Sequence, residues 1–136
     1  MKLTTQLNVS ADYLFQRLID TVLYDISSQT NQHPSIDKLN GFKYESNYLG
    51  AENVETTVSK VKPGEGYQLE FSGPLGKVIR AVKLHSLGKN KVELKMLEKS
   101  LPKDKTNIGT SPFAWLKSLI YRHNLKKMLK NFEIGY

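Results

Sequence analysis

Few residues of this 136-residue chain are placed to do chemistry. His33, His85 and His123 lie far apart and lack the HxxxH or HxxE spacing that puts two ligands on one helix face, so no metal is expected. With no cysteine, thiolate ligands, disulfides and thiol nucleophiles are excluded. No GxSxG or P-loop occurs, and Gly73-Pro74-Leu75-Gly76 reads as a turn rather than a phosphate cradle. Glu70, Glu93 and Glu98 fall on expected strands, where no spacing rule pairs them. Glu70 and His85 are the pair to inspect for acid–base geometry, although strand alternation turns both outward. No catalytic residue is assigned and no cofactor is expected.

Binding has more candidates. Ser118 and Tyr121 put hydroxyls on the otherwise apolar inner face of the last helical segment, ahead of Leu125, and could orient a ligand. Trp115 lies on its flank. On the strands, Tyr67 and Phe71 alternate to one face with Leu69, and Tyr44 and Tyr48 share a face with Phe42. Tyr44, Tyr48, Tyr67, Phe71, Trp115, Ser118, Tyr121 and Leu125 are therefore the candidate ligand-binding residues. Taken singly, each aromatic is more often core than ligand contact.

The elements that must position them follow from punctuation and period. Ser111 can cap, and Pro112 can start, a helix that runs to Phe132, with the first glycine break at Gly135. In its second half one face is apolar (Leu125, Met128, Leu129, Phe132) and the other polar (Lys126, Lys127, Lys130, Asn131). In its first half Phe113, Leu116 and Ile120 make the outer side apolar too, as at a pocket mouth, a covering loop or a partner surface. Near the other end Lys2–Asn8 alternates as a strand, and Ser10 caps an amphipathic helix over about Ala11–Ser27. A polar loop containing Pro34 follows. Strands are expected at Phe42–Leu49, Val54–Lys62, Tyr67–Ser72, Lys77–Leu87 and Lys91–Lys99, joined by short turns that favour antiparallel pairing. Both faces of Lys77–Leu87 are apolar, and Arg80 is in phase with Val78, Val82 and Leu84.

Length and composition suit one domain over residues 1–136 with a real core. Neither a long apolar run nor a signal-peptide core is present, and the expected compartment is the cytoplasm. Net charge is +7, with 6 basic and 9 acidic residues before position 77 and 14 and 4 from there on. Only Arg17, Arg80 and Arg122 are arginine; the lysine-dominated remainder fits a solvated sheet face better than specific nucleic-acid recognition. An anionic membrane surface and a second copy of the chain are the other partners considered.

The order strand, helix, five antiparallel strands, long helix is α+β. Its ends, LNVSADYLFQRLID and SPFAWLKSLIYRHNLKKML, resemble the helix-grip fold of the START-like superfamily (SRPBCC), which includes Bet v 1-like, polyketide cyclase-like and lipid-transfer domains. The chain is similar to a small uncharacterised family of such domains from Gram-positive bacteria. The resemblance implies a curved antiparallel sheet wrapped around the C-terminal helix, with a hydrophobic cavity between them. The resulting expectation is a binder or carrier of a small hydrophobic or amphipathic molecule, an acidic one given the basic C-terminal half. The alternatives are a cyclase- or hydrolase-type enzyme using tyrosines and a carboxylate in the same cavity, and a protein-interaction or membrane-surface module.

Overall fold

The computed structural model describes residues 2–48, 51–74, 76–102 and 112–136, and the side chains of 2–46, 54–74, 76–101 and 123–136. The element order is β1 (Lys2–Leu7), α1 (Ala11–Thr30), a 3-10 turn (Ile36–Lys38), β2 (Lys43–Tyr48), β3 (Ala51–Lys62), β4 (Gly66–Gly73), β5 (Gly76–Gly88), β6 (Lys91–Pro102) and α2 (Pro112–Ile134). The six strands form one antiparallel sheet in the order β1-β6-β5-β4-β3-β2. The hairpins β2 to β6 make a meander. β1 closes its far side by pairing with β6, Leu3 opposite Met96 and Leu7 opposite Val92.

α1 starts where expected. The Ser10 hydroxyl accepts from the Tyr13 N–H at 3.1 Å, which satisfies one of the orphan donors of a helix start. Leu14, Phe15, Leu18, Ile19, Val22 and Ile26 form its buried stripe. The helix continues past Ser27, to Thr30. Its polar end reads as loop by composition, yet the Ser27, Ser28 and Thr30 hydroxyls donate back to the carbonyls of Tyr24, Asp25 and Ile26. Asn31 then takes the left-handed conformation that closes the helix, φ 59°. In the following loop Leu39 is fully buried.

The sheet turns one face to the helices. Val54, Thr56 and Val58 of β3, Tyr67, Leu69 and Phe71 of β4, Arg80, Val82 and Leu84 of β5, and Val92, Leu94 and Met96 of β6 are all buried. The ambiguous strand β5 thus turns its Arg80–Val82–Leu84 side inward, while Ile79 and Ala81 are half-buried on the outer side. Gly66 marks a close approach between β4 and β5. A Cβ there would sit 2.1 Å from the Val82 carbonyl oxygen, so a side chain at this position would push the two strands apart.

The C-terminal half of α2 lies on this core with Leu125 and Leu129 buried and Met128 and Phe132 half-buried against it. Lys126, Lys127, Lys130 and Asn131 are exposed, as the helical period requires. Two long-range bonds tie the helix end to the N-terminal elements. The Tyr13 hydroxyl donates to the Phe132 carbonyl at 2.9 Å, and the Asn8 N–H donates to a Glu133 carboxylate oxygen at 2.9 Å. The expected Ser111 cap lies outside the described residues, as do the side chains of the first half of α2. Among the described residues no helix is long and apolar enough to cross a membrane.

Candidate functional site

Between α1, the inner sheet face and α2 lies a cavity of about 220 Å³. Its apolar wall includes Leu18 and Val22 of α1, Tyr67, Leu69 and Phe71 of β4, and Leu125 of α2. Alternation puts these side chains here: β4 sends every second residue inward, and Leu18 and Val22 are one helical turn apart. Four polar side chains also reach the wall from different elements: Thr21 and Asp25 from α1, Ser46 from β2 and Arg80 from β5.

Arg80 faces Glu98 across the β5–β6 ladder. The Arg80 Nε and Nη2 each lie 3.0 Å from the same Glu98 oxygen, Oε2, and the guanidinium carbon sits 5.3 Å from the centre of the Phe71 ring. The side chains are 10% and 19% exposed, so this is a charge pair inside the sheet's concave face rather than a surface bridge. On the far side of β4, Ser46 of β2 and Thr56 of β3, both buried, share a hydrogen bond of 3.0 Å.

The second polar pair joins α1 to β2. The Tyr44 hydroxyl donates to Asp25 Oδ2 at 2.6 Å. Burial, followed by the hydrogen bond and negative charge of Asp25, pushes the Tyr44 phenol far above its ordinary range. Tyr44 therefore remains a neutral donor and is unsuited to act as an acid at neutral pH. Thr21, one turn before Asp25, donates its own hydroxyl to the Leu18 carbonyl at 2.6 Å. What α1 offers the cavity in this region is acceptor atoms.

Of the residues expected from sequence, Tyr44, Tyr67, Phe71 and Leu125 come together on this wall. The side chains of Tyr48, Trp115, Ser118 and Tyr121 lie outside the described residues. Glu70 and His85 do not meet. Glu70 stands opposite Ile79 and pairs with Lys77 at 2.8 Å, whereas His85 is exposed and stands opposite Glu93. Six residues of strand between Ile79 and His85 amount to ~20 Å. His33 and His123 are exposed as well.

Asp25, Thr21, Ser46 and Arg80 are the polar wall residues that sequence reasoning missed. A usable signal existed for two of them. Arg80 interrupts the in-phase series Val78, Val82, Leu84, and Asp25 follows Leu18 and Val22 at helical spacing, so each is a charge on an apolar stripe.

A curved six-stranded antiparallel sheet closed over a long C-terminal helix, with a second helix after the first strand, is the START-like, Bet v 1-like helix-grip fold. Solved structures with this fold align over nearly the whole chain. The Aha1 dimer from Colwellia psychrerythraea shares 13% identity, with 99% of this chain and 96% of that one covered and a TM-score of 0.67. Ara h 8.0201 shares 14%, with 100% and 97% covered and a TM-score of 0.65. A START superfamily protein from Mycobacterium smegmatis shares 12%, with 100% and 98% covered and a TM-score of 0.65. These identities speak for the fold alone. No curated protein matches the chain in sequence. The chain belongs to the family DUF3284, a domain of unknown function, whose model matches residues 1–111.

Proposed function

We propose that this chain, acting as one domain over residues 1–136, binds or carries one small amphipathic molecule in the cavity between the sheet and α2. The observation that supports this most is the cavity itself, about 220 Å³ with an apolar wall interrupted by a few polar groups from separate elements. That is the usual composition of a small-molecule site. The volume lies below the ~300–1,000 Å³ of drug-sized pockets, which favours a compact ligand over a long acyl chain or a sterol. Tyr44, Tyr67, Phe71 and Leu125 would contact it, and the proposal extends to Tyr48, Trp115, Ser118 and Tyr121. Binding without catalysis is the simpler reading, because the phenol nearest a carboxylate is held in its neutral form.

Isothermal titration calorimetry with 2-naphthol, a compact amphipathic probe, tests the reading. The expected result is saturable binding with one site per chain, weakened about tenfold or more by Leu69→Trp, which fills the cavity. Absence of saturable heat, or binding that Leu69→Trp leaves unchanged, would overturn it.

A further inference from the structure

We propose that Asp25 is the polar anchor of this cavity, and that the ligand it selects carries a positively charged nitrogen on a compact apolar body. The inference rests on the cavity-binding reading and adds to it the chemical class of the ligand. It starts from the charges on the wall. The Arg80 guanidinium already faces a carboxylate, Glu98, at 3.0 Å. The described ion pairs are Lys77–Glu70, Arg80–Glu98 and Lys95–Glu93. Among the described residues Asp25 thus has no cationic partner, although it is half-buried and lines the cavity.

Its described side-chain partner is the Tyr44 hydroxyl, 2.6 Å from Oδ2. A phenol that stays protonated orients a carboxylate without neutralising it, much as an orienting donor fixes a ligand group elsewhere. Thr21, four residues earlier on the same face, has committed its proton to the Leu18 carbonyl at 2.6 Å. Its oxygen can therefore only accept from a ligand. A carboxylate and a hydroxyl oxygen one turn apart, both acceptors, match a head group that carries several N–H donors. An ammonium does so and supplies the missing charge; a carboxylic acid supplies neither. Tyr44 and Tyr67 line the same wall, and aromatic side chains suit both an apolar body and a cation. This reverses the acidic ligand expected from the basic C-terminal half: among the described residues of that half, Lys126, Lys127 and Lys130 are exposed to solvent rather than set on the cavity wall.

The test uses three probes with a common phenyl body: 2-phenylethylamine, 2-phenylethanol and phenylacetate. Each is titrated into ¹⁵N-labelled full-length protein and followed by amide shifts. The expected order is amine tightest, with phenylacetate weaker by about tenfold or more, the range of one charge-assisted hydrogen bond. Asp25→Asn keeps an oxygen for the Tyr44 hydroxyl; it should weaken the amine by about tenfold while the alcohol stays within about twofold. Thr21→Val should weaken the amine to a smaller extent. Phenylacetate binding as tightly as the amine, or amine binding indifferent to Asp25→Asn, would overturn the assignment and leave the cavity reading standing. Should Asp25→Asn lose its native amide spectrum, the wild-type order of the three probes and Thr21→Val decide the matter. Failure of all three probes to shift residues around Leu18, Tyr44 and Leu69 saturably would overturn both.

Discussion

Arg80 and Glu98 hold each other at 3.0 Å with side chains 10% and 19% exposed. Taking two charges out of water costs more than their attraction readily returns, so the pair contributes little to stability as a pair, while removing one partner takes from the other its close counter-charge in a largely buried place. Glu98→Ala should accordingly destabilise the protein by ~3–5 kcal/mol in urea titrations. The double change Arg80→Met with Glu98→Leu should be close to neutral or stabilising. If the double variant loses as much as the single one, the pair is a structural requirement rather than a cavity group. Tyr44 gives a pH signature. Its folded-state value lies above the unfolded one, so the contribution is fully present below the unfolded-state ionisation near pH ~10 and declines as pH rises beyond it, by up to ~1.4 kcal/mol per unit. Denaturation at about pH 9 and about pH 11 should show this decline in the wild type and a shallower one in Tyr44→Phe. Equal slopes would mean that Tyr44 ionises in the native state.

At the scale of elements, α2 is the piece whose docking makes a cavity out of a sheet face. Leu125 is 5% exposed and lines that cavity, and Leu125→Ala should cost ~2–5 kcal/mol. A loss below about 0.5 kcal/mol would mean the helix is not packed there as described. The elements themselves were legible in the sequence because each has a period and a punctuation mark. Ser10 starts α1, and the turns Pro63–Gly66 and Gly73–Gly76 bound β4. The extra turn of α1 was not legible, since Ser and Thr read as loop by composition and only the fold shows their hydroxyls bonded back to the helix. The candidate wall was legible in its aromatics, which follow strand alternation. Of its polar members the sequence showed only that Arg80 and Asp25 are charges on apolar stripes; that they reach the wall depends on the β5–β6 register that brings Glu98 opposite Arg80 and on β2 delivering Tyr44 to Asp25.

At the scale of the whole molecule, most described lysines of the basic half lie on surfaces turned away from the cavity. Lys77, Lys83, Lys95 and Lys99 are exposed on the outer side of β5 and β6, and Lys126, Lys127 and Lys130 on the outer side of α2. Lysines spread over two separate convex faces make a solvated shell rather than a groove that could track a phosphate backbone. DNA binding at physiological salt should therefore be undetectable by fluorescence anisotropy, and a tight complex that weakens steeply with added salt would contradict this account. The sheet, α1 and α2 instead converge on one interior space, and the central claim is that this space exists to hold a molecule. Native mass spectrometry of the protein purified from its own host tests that claim most directly. The account predicts one small molecule per chain, carrying a basic nitrogen and released on denaturation, with the adduct reduced in Asp25→Asn and absent in Leu69→Trp. A bare chain mass, both as purified and after incubation with the host's small-molecule extract, would contradict it.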